Sequence, residues 1–384
     1  LTRDAGRLKR RREHAERLCE CSSHRDAATD SPLAPLERGR ARIRFAGRRF
    51  QCRTHPGPGL TECSHDRRQL LDRVTELSVG RCRLLGKTWP MPLLVAPMAT
   101  QRWAHPEGES GMALAAAAQG CGFVLSHQTS TALSEVASLV VSEKDRGPLW
   151  FQLYWLNDRA ALRELIAQVE AAGYEALVLT VDAPVHGVRD RERRHGTAWP
   201  EGIRTPHWPA ATPSAGDNGL CAGLAAQAPT WADVPWLIAH TRLPVLLKGI
   251  THPEDARQAM AVGAAGVIVS NHGGRVLDTL PATAEVLPAI AEAVHGLPGG
   301  GVVLVDGGIR RGTDLFKALA LGADAALIGR PALYGLAHAG ARGVAHVLRL
   351  MRDEFEMTLA LCGCPTPQAI TRSHLQALPA LPVM

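Results

Sequence analysis

Residues 270–278 read Ser-Asn-His-Gly-Gly-Arg-Val-Leu-Asp, directly behind the apolar run Gly266–Val269. A strand that ends in His272, two glycines and Arg275 puts a proton acceptor and a permanent planar cation on one short turn. That pairing suits deprotonation of a substrate that carries a carboxylate. A second polar terminus, Asp306-Gly307-Gly308-Ile309-Arg310-Arg311-Gly312, follows the run Val302–Val305, and a third, Gly329-Arg330, follows Ala325–Ile328. Glycines let backbone N–H groups close on an anion, and a helix N-terminus attracts phosphate. The two glycine-arginine loops are therefore read as a phosphate site, with Asp306 through Asp314 opening a helix.

These termini need elements to hold them. From Leu93 onward, short apolar runs alternate with segments of helical period such as Arg159–Ala172 and Asp314–Leu321. The runs are Leu93–Pro97, Gly122–Ser126, Leu149–Tyr154, Ala176–Asp182, Val245–Gly249, Gly266–His272, Val302–Gly308 and Ala325–Arg330. Each is apolar almost throughout, as a strand buried on both faces should be. Strand–helix alternation repeated in this way predicts an α/β fold, a (β/α)8 TIM barrel. The C-terminal ends carry Met98-Ala99, Ser126, Gln152 with Tyr154, Thr180 with Asp182, Lys248, Ser270 with His272, Asp306 through Arg310, and Gly329-Arg330. In such a barrel the active site is built from these ends, so polar groups unwelcome in a core converge on one mouth.

The chain has 384 residues, enough for one barrel with insertions, and no apolar run long enough to cross a membrane. Its nine scattered cysteines predict reduced thiols and a cytoplasmic location. The net charge of +6 is unevenly spread, because residues 1–65 hold 15 Lys and Arg against 8 Asp and Glu. This break marks an Arg-rich, poorly ordered segment at 1–65, ahead of a barrel domain at 66–384. The segment lacks the interleaved aromatics of a nucleic-acid arm, so no nucleic-acid partner is expected. Its Cys and His spacings match no zinc site, and no metal is expected.

The chain resembles the flavin mononucleotide (FMN)-dependent L-2-hydroxy acid oxidase and dehydrogenase family from about Leu71 to Thr371. The resemblance is carried by Val95-Ala96-Pro97-Met98-Ala99, Ala104-His105-Pro106-Glu107-Gly108-Glu109, Phe151-Gln152-Leu153-Tyr154, Leu179-Thr180-Val181-Asp182, Leu247-Lys248-Gly249-Ile250, Ser270 through Asp278, and Asp306 through Asp314. It implies that Met98 and Ala99 lie beside the flavin, and that Ser126, Gln152 and Thr180 bond its polar edge. Lys248 would stabilise the reduced flavin, while Ser270, Asp306, Gly308, Arg310, Gly329 and Arg330 hold the ribityl chain and phosphate. His272 is the implied base and Asp182 its carboxylate partner. Arg275 and Arg189 are the implied cations for the substrate carboxylate, and Tyr154 a hydrogen-bonding partner. The implied reaction oxidises an L-2-hydroxy acid, lactate-like or larger, to the 2-oxo acid. Oxygen is the expected acceptor, giving hydrogen peroxide; a quinone or cytochrome is the alternative. A homotetramer with no membrane association is expected.

Three departures from the family pattern stand out. Residues 1–65 lack the family's Tyr-containing segment, which predicts a lost substrate contact, a barrel bottom or side left uncovered, and, as a further alternative, a flavin-binding barrel with impaired catalysis. Gln128 replaces a pocket-lining tryptophan of glycolate-type members, which predicts a different or longer substrate side chain. Residues 190–230 form a long insertion after the fourth strand, read as a lid that excludes water.

Overall fold

The computed structural model of the chain describes residues 80–184, 194, 200–208 and 228–375, all within one unit, Phe50–Met384. The basic segment 1–65, Arg189 and most of the 190–230 insertion lie outside the described residues.

Eight parallel strands close into a barrel in the order β10-β3-β4-β5-β6-β7-β8-β9. They are β3 (Leu93–Val95), β4 (Gly122–Ser126), β5 (Leu149–Leu153), β6 (Leu177–Thr180), β7 (Val245–Ile250), β8 (Gly266–Val269), β9 (Val302–Val305) and β10 (Ala325–Ile328). Every expected run is present; six end earlier than expected, where the polar terminus begins, whereas β4 keeps its expected bounds and β7 runs one residue further, to Ile250. Among the described residues a helix follows each strand. These are α1 (Gly108–Ala118), α2 (Leu133–Val140), α3 (Arg159–Ala171), α4 (Asp233–Ala239), α5 (Pro253–Ala261), α6 (Thr283–His295), α7 (Gly312–Ala320) and α8 (Arg330–Leu361). Helix α8 breaks its helical geometry at Ala339 and Gly340. No described helix is long and apolar enough to cross a membrane.

Side-chain alternation divides each strand between two cores. Leu94, Val124, Trp150, Val178, Leu246, Ile268, Leu304 and Leu327 form the barrel interior. Their neighbours, such as Leu93, Leu125, Phe151, Leu179, Leu247, Val267, Val303 and Ile328, pack outward against the helices. The residues predicted to form the site continue the interior set. Two positions beyond Val124, Trp150, Val178, Leu246, Ile268, Leu304 and Leu327 lie Ser126, Gln152, Thr180, Lys248, Ser270, Asp306 and Gly329. A period of two thus carries seven of the eight strands from an apolar side chain to a polar or absent one, a step of about 6–7 Å, while in β3 Leu94 leads to Ala96.

The expectation of an uncovered barrel bottom is corrected. An antiparallel hairpin, β1 (Cys82–Leu84) and β2 (Lys87–Trp89), precedes the barrel. Leu85 and Gly86 at its tip both have positive φ, 49° and 74°, the requirement of a tight hairpin turn. Cys82, Leu84 and Trp89 join the interior cluster, and Trp89 meets Trp150 edge-on at 5.3 Å between ring centres. The hairpin escapes sequence reading because its strands are three residues long and carry Arg83, Lys87 and Thr88 on the outer side.

Candidate active site at the barrel mouth

His272 stands just beyond β8 with φ 54°, a left-handed conformation that L side chains occupy at a cost of about 1–3 kcal/mol. Two bonds hold it there. Its N–H donates to Ser270 Oγ at 3.1 Å, and its Nδ1 lies 2.8 Å from Asp182 Oδ1. A carboxylate only accepts, so Nδ1 carries the proton and Nε2 is left as the acceptor. Asp182 reaches this position because β7 bulges between Lys248 and Ile250. Gly249, at φ 113°, leaves no room for a Cβ against the Asp182 side chain.

Lys248 is 4 % exposed, and its ammonium donates to Ser270 Oγ at 2.8 Å and pairs with Asp306 at 3.1 Å. Burial by itself would lower its pKa. The carboxylates of Asp306 and Asp182, with Tyr154 nearby, more than offset that and hold it above the ordinary lysine value. It is therefore a fixed positive charge at the centre of the mouth. Thr180 pairs with Lys248 in the β6–β7 register and is buried. Ser126 Oγ donates to Gln152 Oε1 at 3.1 Å, which turns the Gln152 amide so that its Nε2 remains a donor without a partner among the described residues. Asp306 Oδ1 and Asp182 Oδ2 are likewise buried and unmatched there.

The phosphate loops need one correction. The N-terminus of α7 is already occupied: Arg310 and Arg311 donate their N–H groups to Asp314 Oδ2 at 3.0 and 3.1 Å, and Gly312 donates to Glu354. What remains for an anion is the turn before it, where Gly307 and Gly308 take φ 88° and 79° with nothing above the Gly308 backbone. Gly329 faces it across the β9–β10 end, at the start of α8, and a Cβ there would lie 3.6 Å from Met98 Sδ. Arg330 Nη2 donates to the Gly273 carbonyl at 2.9 Å, tying this loop to the His272 turn. Arg310, Arg275 and Ala99 are exposed, and Arg189 lies outside the described residues.

Several site residues have contacts that the sequence does not reveal. Glu109, fully buried on α1, accepts from the N–H groups of Gln101 and Ser130 and from the hydroxyls of Ser130 and Thr131. It thereby locks the loops after β3 and β4 together. His127 Nδ1 accepts from Tyr154 N–H at 3.3 Å, and its Nε2–H donates to the His207 carbonyl at 2.9 Å. Burial pushes the His127 pKa down to about 4, so the ring is neutral, as both bonds require. His207 accepts from Leu133 N–H at 2.9 Å. Trp208 stands edge-on to both His127 and Tyr154, at 4.9 and 5.5 Å. Part of the expected insertion is thus clamped beside Tyr154, a fact that spacing along the chain cannot reveal.

The residues present fit the FMN that the resemblance implies. A planar polar ring finds a buried cation in Lys248 and a spare donor in Gln152, and a phosphate finds the open Gly307-Gly308 turn beside Gly329. Among the described residues no group of His, Cys, Asp and Glu could hold a metal ion.

Comparison with known proteins agrees with this geometry. The chain is similar to an L-lactate oxidase of Roseobacter sp. (strain GAI101), 47% identical over 298 residues, covering 76% of this chain and 78% of that protein. It is similar to the glycolate oxidase of Spinacia oleracea, 42% identical over 319 residues, covering 81% and 84%. Among solved structures it resembles a mandelate oxidase with (S)-2-phenylpropionate, with a TM-score of 0.69 and 41% identity over 78% of this chain and 82% of that one. Residues 67–377 match the FMN-dependent dehydrogenase family, and with the mouth built as described, the chain belongs to that family.

Proposed function

We propose that the protein oxidises an L-2-hydroxy acid to the 2-oxo acid, with oxygen as the final acceptor and hydrogen peroxide as the product. The observation that carries this reading is the Asp182–His272 pair, 2.8 Å apart, beside the buried Lys248 and the unmatched polar atoms of Gln152 and Asp306. Bound FMN supplies the site for the substrate's two electrons. His272 Nε2 takes a proton from the substrate as those electrons leave, and Asp182 stabilises the imidazolium through Nδ1. Arg275 offers a planar fork for the substrate carboxylate, with Arg189 as the second cation. Tyr154 orients the substrate through its hydroxyl. Lys248 offsets negative charge that accumulates beside it, and Ser126, Gln152 and Thr180 fix the cofactor's polar edge. Met98 and Ala99 flank the ring, while Ser270, Asp306, Gly308, Arg310, Gly329 and Arg330 hold its tail.

The relatives named oxidases favour oxygen as acceptor over a quinone or cytochrome. A cytoplasmic location and assembly as a homotetramer complete the proposal; light scattering of the purified chain tests the latter. The deciding experiment is the visible spectrum of the purified chain before and after L-lactate without oxygen. Flavin bands that bleach, and return with peroxide on admitting air, support the reading. Bands that persist with L-lactate, L-mandelate and glycolate would leave a flavin-binding barrel with impaired catalysis.

A further inference from the structure

Trp208 belongs to the described segment 200–208, between the fourth strand and α4, and nothing so far gives it a role. Three contacts fix where it stands. His207, beside it in the chain, is held by Leu133 N–H on its ring and by His127 Nε2–H on its carbonyl, both at 2.9 Å. The Trp208 ring then meets Tyr154 at 76° and His127 at 83° between ring planes. His127 is itself completely buried and bonded to Tyr154 N–H, so the indole and the phenol are parts of one braced unit. Perpendicular aromatic rings make an apolar corner. Tyr154 follows β5 two residues after the buried Gln152, on the same side-chain parity, and so continues the interior face toward the mouth that holds Lys248. The indole is half-buried, which leaves part of its surface for a further contact beside Tyr154. Gln128, also half-buried, supplies no such apolar surface after β4.

We propose that Trp208 is a specificity-determining residue: the wall against which the apolar side chain of the 2-hydroxy acid packs. The inference rests on the hydroxy-acid reading above. The substrate's reacting carbon and carboxylate are handled by His272 and Arg275, whereas the substituent on that carbon extends toward Tyr154 and Trp208. Glycolate, which has no such substituent, makes no use of the wall.

The test compares Trp208→Ala and Trp208→Phe with wild type on glycolate, L-lactate and L-2-hydroxy-4-methylpentanoate, following anaerobic flavin bleaching and steady-state turnover. Loss of one apolar contact in a pocket changes kcat/KM by about tenfold or more. Trp208→Ala should lower kcat/KM for the methylpentanoate by about tenfold, chiefly through KM, and leave glycolate within about twofold of wild type. Trp208→Phe, which keeps an aromatic ring in place, should fall between and decides the matter by the same ratio if the alanine variant fails to retain flavin. Equal losses on all three acids would make Trp208 a general brace and overturn the proposal. So would unchanged ratios, or a gain for the larger acid. A wild type that none of the three acids reduces would instead sink the hydroxy-acid reading itself.

Discussion

The two ends of the barrel interior share one set of strands and one side-chain parity, yet hold opposite chemistry. At the N-terminal end Trp89, Cys82 and Leu84 of the hairpin join Trp150, Leu246 and Leu304 in one cluster of buried hydrophobic side chains. Two residues along the same strands, Lys248, Asp306, Gln152 and Thr180 are equally buried but polar. Burying apolar surface contributes stability at roughly 25 cal/mol per Å². Burying Lys248 and Asp306 costs desolvation that their mutual attraction repays only with good geometry. The mouth keeps buried polar atoms unmatched among the described residues, and the closed end supplies stability that allows it. One end is built to persist and the other to react.

The sharpest way to break this division is to cross it. Lys248→Met leaves Asp306 buried without its cation, which should cost about 3–5 kcal/mol of stability and also slow flavin reduction. Chemical denaturation and anaerobic reduction rates read the two effects separately. An unchanged melting profile would show that the pair is not a structural element. His272→Asn should act on chemistry alone. Asparagine tolerates positive φ, so denaturation should match wild type, while turnover falls by about a thousandfold, or about 4 kcal/mol in the barrier. Flavin content should be unaltered.

Trp89→Ala probes the opposite end. It removes a buried indole from the plug and should destabilise the fold by about 3 kcal/mol, with the reduction rate per bound flavin unchanged. A slowed rate would mean that the ends are coupled. The smallest effect is a pH dependence at the rim. His127 is neutral in the fold, with its pKa moved from the ordinary 6.5 to about 4. As pH falls, the unfolded chain binds the proton first. The stability contributed is therefore complete above about pH 6.5, declines toward about pH 4, and is level below, for a loss of at most about 3 kcal/mol. Urea denaturation at several pH values should show this slope in wild type and lack it in His127→Asn.

Much of the fold was legible because a strand buried on both faces must be apolar throughout, and eight such runs recur between helical segments. His272, Asp182, Lys248 and Ser270 were legible because polar residues that end apolar strands have few reasons to be there. The hairpin was not, since three-residue strands carry no period. The contacts of Glu109, His127 and His207 were not, since each bonds groups at least 20 residues away in most of them, and a Glu or His reads the same in sequence whatever it touches.

The sequence by itself therefore determined the barrel, its polar mouth and the order of chemical groups around it, because hydrophobic period and strand-end chemistry are local properties. Only the tertiary structure decided which nitrogen of His272 faces Asp182, that α7 spends its N-terminal donors on Asp314 and Glu354, and that Trp208 stands against Tyr154. Those outcomes depend on distances between segments far apart in the chain, which are set when the barrel closes.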